Sequence, residues 1–139
     1  MTPPIAVPQA GAKMSFRKTM TVAEQAMFTG ISGNLDPLHV DQRAARAAGL
    51  EGVLAFELAV AALATTSLNR LAGANWRIGS INLEFLLPVV VGDTVEAAVE
   101  VISAQAGKIE CTVGCLIKGK SDAMAVWGTA SLIPLGARG

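Results

Sequence analysis

The segment Ser32-Gly33-Asn34-Leu35-Asp36-Pro37-Leu38-His39-Val40-Asp41 gathers a carboxamide, two carboxylates and the single histidine of the chain. An imidazole is the one side chain whose ordinary pKa sits near neutrality, so His39 is the default proton carrier if protons move here. Asn34 and Asp36 read two ways: as Asx residues that build a turn, or as groups that align water and exchange a proton. Only the aspartate can do the latter at neutral pH, because a carboxamide donates and accepts hydrogen bonds without titrating. Asp41 reads as the N-cap of a short helix starting at Gln42.

Glu57 is the other candidate, lying inside the otherwise apolar stretch Val53 to Ala64. It is either a first-turn acid that complements a helix N-terminus or a carboxylate that acts on a substrate. Cys111 and Cys115 alternate within a strand-like segment, where four residues separate their Cα atoms by about 13 Å, beyond disulfide reach. They read as small core residues, and no metal site is expected, since the one histidine is far away in sequence.

The elements that must position these groups can be read from pattern. Met14, Phe16, Lys18 and Met20 alternate with Ser15, Arg17 and Thr19 as a first strand. Thr21-Val22-Ala23-Glu24 has the form of a capping box, predicting a short helix to about Gly30. Residues 31–41 are dense in turn formers, and Pro37 disfavours helix at Asp36, so the segment is expected to be a loop. Gln42 to Ala48 is an alanine-rich helix that Gly49 can close. From about Leu54 to Ala72 nearly every residue is apolar or a good helix former, predicting a buried central helix.

Beyond Asn75 the period becomes two. Ile81, Leu83, Phe85 and Leu87 form one strand up to Pro88, with Gly79 suited to a bulge. Val95, Ala97, Val99 and Val101 face inward on the next. Ile109, Cys111, Val113, Cys115 and Ile117 make a third, and a last strand runs from about Ala123 to Ile133. Consecutive strands on short turns predict an antiparallel sheet packed on the helix. A helix apolar on all sides also needs cover from a second subunit, so a homodimer with a two-fold interface is expected.

The 139 residues suffice for one domain, here 13–139, after a flexible Pro, Gly and Ala tail at 1–12. Lys plus Arg equals Asp plus Glu at 11 each, which leaves no charge excess for nucleic acid or anionic lipid. No apolar run approaches the length of a membrane span, and the N-terminus has no signal-peptide pattern, so a cytoplasmic location is expected.

Taken together, Phe28, the loop at 32–41, the alanine-rich helix and Val53-Leu54-Ala55-Phe56-Glu57-Leu58-Ala59-Val60 resemble the MaoC-like family of (R)-specific enoyl-CoA hydratases and dehydratases. Ile81 to Asp93, ending in Phe85-x-x-Pro88-Val89-x-x-Gly92-Asp93, looks like that family's second signature. The resemblance spans about residues 14 to 133. It implies an α+β hot-dog fold, in which a five-stranded antiparallel sheet wraps a long central helix, and it implies addition of water to a 2-enoyl thioester or its reverse. Coenzyme A or acyl-carrier pantetheine would enter as part of the substrate, with no separate cofactor.

This chain departs from the family in two places. Its loop usually reads Gly-Asp-x-Asn-Pro-x-His, whereas here Asn34 stands at the aspartate position and Asp36 at the asparagine position. Where many members carry His-Gly-Met, this chain has Phe56-Glu57-Leu58. By resemblance His39 is the retained half of the catalytic pair and is expected to handle the α-proton, but with Asn34 at the aspartate position the usual pair is incomplete; Asp36 is therefore nominated to serve the hydroxyl, with Asn34 aligning water and Glu57 as the reserve carboxylate. The amide at the helix start resembles an oxyanion hole. Phe28, Phe56, Leu58 and Thr65 are the candidate substrate contacts. Two alternatives remain: a thioesterase using Glu57, or a homologue that binds an acyl thioester without turning it over.

Overall fold

The structure, a computed structural model, describes residues 7–105 and 107–139. In chain order, β1 is Lys13–Thr19, α1 Val22–Ser32, α2 Pro37–Val40, α3 Gln42–Ala47, α4 Glu57–Ala72, β2 Trp76–Phe85, β3 Thr94–Gln105, β4 Lys108–Lys118 and β5 Ala123–Pro134. The strands form one antiparallel sheet in the order β1-β3-β4-β5-β2. This sheet curls around α4, giving the α+β hot-dog architecture.

Alternation decides which face of the sheet is buried. Val95, Ala97, Val99 and Val101 of β3 are all at most 2% exposed, and Ile109, Cys111, Val113 and Cys115 of β4 are fully covered. They meet Val60, Ala64 and Leu68 of α4 in one core. Ser67 of α4 is a polar exception, and its hydroxyl is satisfied by the Ala97 carbonyl at 2.7 Å. Both cysteines are free and buried, and burial pushes their thiols up to about 11. The register of β2 shifts between Ile78 and Ser80, where Gly79 forms the expected irregularity. At Gly128 of β5 a Cβ would collide with the Asn82 carbonyl of β2, so only glycine permits that approach.

Three expectations need correction. The segment 31–41 is not wholly loop: α1 continues through Ser32, and Pro37–Val40 makes the helical turn α2. Proline excludes helix for the residue before it yet favours the first helical position for itself, and Asp36 caps that turn. Secondly, α4 begins at Glu57, not Leu54. The backbone just before it is engaged elsewhere: Leu54 bridges Val90, and Ala55 N donates to the Val89 carbonyl at 2.8 Å. Lastly, β2 spans Trp76–Phe85, so Leu87 lies beyond its end.

Residues 1–6 of the expected tail lie outside the described residues. Of the remainder, Gly11 N donates to the Val101 carbonyl and Val101 N to the Ala12 carbonyl, at 2.8 and 2.9 Å. Among the described residues no helix is long and apolar enough to cross a membrane, and no group of His, Cys, Asp and Glu could hold a metal ion.

Candidate active site

The site is assembled from α1, the turn α2 and the strand-like approach to α4. Helix α1 starts at the capping box: Thr21 Oγ1 accepts from Ala23 N at 3.2 Å, and Thr21 N donates to Glu24 Oε2 at 2.7 Å. Lys18 of β1 pairs with the same carboxylate. That ammonium and the Thr21 bonds hold the Glu24 carboxyl at about 2. The helix is thereby tied to the sheet at its first turn, and Gly33, left-handed at φ 72°, ends it with its N–H on the Thr29 carbonyl.

A chain of short-range hydrogen bonds then shapes the loop. Ser32 Oγ donates to the Phe28 carbonyl at 2.7 Å and accepts from Asn34 N at 3.1 Å. Asn34 Oδ1 accepts from Asp36 N at 3.0 Å, and Asp36 Oδ1 accepts from Leu38 N at 3.0 Å. Asn34 and Asp36 thus both act as turn builders, with one oxygen of the Asp36 carboxylate engaged as the cap of α2. Both residues are exposed. Asp41 caps α3 through Arg43 N at 2.9 Å.

The product of these turns is the placement of His39, which is buried at 8% exposure. Its Nδ1 lies 2.7 Å from the Leu54 carbonyl oxygen. A carbonyl only accepts, so Nδ1 carries the hydrogen and Nε2 holds the lone pair of the neutral ring. Phe56 stacks on the imidazole, with centroids 4.0 Å apart and planes 17° apart, and Phe28 packs on Phe56 at 4.7 Å. Each such pair contributes about 0.5–1.5 kcal/mol beyond burial. Phe56 is itself only 2% exposed.

Gln25 belongs to the site although no sequence motif points to it. It is buried on α1, and its Nε2 donates to the carbonyls of His39 and Leu54, both at 2.9 Å, while its Oε1 accepts from Phe56 N at 3.3 Å. The available signal was spacing: Val22, Gln25 and Phe28 lie three apart, so a polar side chain shares a helix face with apolar ones.

A cleft of about 570 Å³ runs beside the histidine, lined by His39, Gln25, Val22, Thr29, Val53 and Val91 among others. This volume falls within the range of small-molecule sites. Glu57 is exposed at the first position of α4, beside a crevice of only about 20 Å³ shared with Phe85, Leu87 and Val126. Among the described residues no side chain caps α4, whose first turn carries the positive end of the helix dipole. Leu58 is 63% exposed on that turn. Thr65 spends its hydroxyl on the Ala62 carbonyl of its own helix, at 2.6 Å, and does not bond to the loop. Four cations are engaged within the chain: Lys118 pairs with Glu96 and Asp122, Lys120 with Glu51 and Asp93, Arg77 donates to C-terminal carbonyls, and Arg70 lies over the Phe16 ring.

Comparison with known proteins places this geometry among relatives. A family model described as a MaoC like domain matches residues 6–119. An (R)-specific enoyl-CoA hydratase of Aeromonas caviae is 32% identical over 123 residues, which cover 88% of this chain and 92% of that protein. The solved structure of an (R)-hydratase from A. caviae involved in PHA biosynthesis superposes with a TM-score of 0.84 at 30% identity, over 90% of this chain and 96% of that one. An R-hydratase from Pseudomonas aeruginosa has a TM-score of 0.83 at 19% identity, covering 91% of this chain and 81% of its own.

Proposed function

Since the chain belongs to the MaoC-like domain family, we propose that it adds water reversibly to a 2-enoyl thioester, giving a 3-hydroxyacyl thioester, with His39 as the carrier of the α-proton. The imidazole carries this reading: it is buried beside a cleft of about 570 Å³, its Nδ1–H is committed to Leu54, and its Nε2 is left to exchange a proton.

In the dehydration direction the thioester carbonyl acidifies C2, and His39 Nε2 takes the proton from it. Charge moves onto the thioester oxygen, where the amides at the start of α4 stabilise it. The C3–O bond then breaks, and the departing hydroxyl takes a proton from Asp36 in its acid form, leaving as water; exchange with solvent then removes the proton from the imidazolium and returns one to Asp36. Hydration runs the same steps backwards: ionised Asp36 removes a proton from the attacking water as oxygen bonds to C3, and the imidazolium returns its proton to C2. Asp36 keeps a second carboxylate oxygen for this role beside the one that caps α2, and Asn34 aligns the water. The reaction draws on the chain's own side chains, with coenzyme A or carrier pantetheine arriving as part of the substrate.

We further propose that the active form is a homodimer. Strand β2 is an edge of the sheet, and Ile81, Phe85, Leu86 and Leu87 on or just after it are 44–50% exposed, with Leu58 of α4 also uncovered. An apolar edge of this kind favours pairing with a second copy.

The test is a panel of 2-enoyl, 3-hydroxyacyl and saturated acyl thioesters, followed both for loss of the conjugated enoyl absorbance and for free thiol. Hydration without thiol release is expected. Thiol release that disappears in Glu57→Gln would replace the proposal with a thioesterase, and thermal stabilisation by acyl thioesters without turnover would leave only a binding protein.

A further inference from the structure

We infer that Gln25 is a positioning residue for the reaction proposed above, acting through the backbone that surrounds His39. The inference rests on that reading for its kinetic consequence and on geometry for its structural one. The carboxamide of Gln25 directs three polar contacts at three residues, and each of those residues holds the imidazole in a different way. His39 itself is bonded through its carbonyl; Leu54 supplies the oxygen that accepts the ring's Nδ1–H; Phe56 supplies the ring that stacks on it.

The Leu54 carbonyl has two lone pairs, and it receives Gln25 Nε2–H at 2.9 Å and His39 Nδ1–H at 2.7 Å. Gln25 therefore fixes in space the acceptor that selects the tautomer. The bond from Phe56 N to Gln25 Oε1 has a second effect. It occupies the amide just before α4 and orients the peptide that leads into Glu57, whose N–H is the first of that helix. One buried side chain thus sets the position of the base and of the proposed carbonyl-polarising amides relative to each other. These contacts bridge 14, 29 and 31 residues of sequence, so no local turn can replace them. Glutamine suits the task because it offers two donors and an acceptor without a charge, whereas a carboxylate would face two carbonyls with no hydrogen to give.

Because the chain has a single histidine, the imidazole ¹⁵N resonances report on this arrangement without ambiguity. Whenever the native imidazole is neutral it should show one tautomer, with hydrogen on Nδ1. Gln25→Met keeps the length of the side chain and removes the polar groups. Gln25→Asn keeps the groups and withdraws them by one carbon–carbon bond, about 1.5 Å. Both variants should give mixed or exchange-broadened imidazole signals. Their kcat on the enoyl thioester should fall by about 100-fold, the scale of an ångström-level misplacement, with KM little changed. Should Gln25→Met fail to fold, Gln25→Asn decides alone. A folded variant that keeps the native tautomer spectrum and the native kcat overturns the inference, as does a loss confined to KM. If the native protein turns over no thioester, the proposed function fails while the ¹⁵N spectra still decide the role of Gln25.

Discussion

Asp36 is where structure and chemistry are hardest to separate, because one carboxylate both caps α2 and is proposed to serve the hydroxyl proton. Asparagine caps a helix about as well as aspartate but cannot titrate. Asp36→Asn therefore isolates the proton from the fold. The melting temperature should stay near native, and kcat for hydration should drop by about 100-fold, within the usual contribution of a general acid or base. Native turnover in this variant would move the role to Glu57, which lies exposed at the start of α4. His39 differs in kind from both carboxylates. Its ring is held by a hydrogen bond on one edge and an aromatic face on one side, the degree of constraint that orienting a base requires.

Among the elements, α1 governs the site because it carries Gln25 and Phe28, and its first turn depends on an ionised Glu24. The Glu24 carboxyl, ordinarily near 4.5, is lowered to about 2 by Lys18 and Thr21. A depressed acid contributes stability above its unfolded value, and that contribution is lost as pH falls through the folded value. Glu24→Gln retains a capping-box side chain without the charge. It should be less stable than the native protein at neutral pH by about 1 kcal/mol, the scale of an ion pair combined with a charged helix start, and the difference should close as pH falls from 4.5 towards 2. Denaturant melts across that range check it. This helix was legible in the sequence because Thr21 and Glu24 are a local signal, as were the inward faces of β3 and β4. The turn α2 was hidden because Pro37 acts in opposite senses on itself and on Asp36. The start of α4 was hidden because the pairing of Leu54 and Ala55 with Val89 and Val90 joins residues far apart in sequence. Gln25 escaped for the same reason: its three contacts are all non-local, and a lone glutamine on a helix face carries no motif.

For the whole molecule, the sheet buries one face on α4 but leaves β2 as an apolar edge. Sedimentation at micromolar concentration should give a dimer. Ile81→Glu, which sets a charge on that edge at a position already 44% exposed in the single chain, should shift the protein towards monomer without unfolding it. A native monomer at those concentrations contradicts the dimer proposal and leaves the single-chain site unaffected. The hydrogen bonds that hold His39 and Gln25, in contrast, all lie within one chain.

The most direct measurement tracks hydrogen at C2 of the substrate. Hydration of crotonyl-CoA in D₂O by the native protein should place one deuterium at C2 of the 3-hydroxybutyryl product, with a single configuration, because one imidazole delivers it. His39→Ala should slow hydration by at least about 100-fold while the protein remains folded. Hydration at a near-native rate in His39→Ala, or deuterium placed at C2 without facial preference, contradicts His39 as the proton carrier.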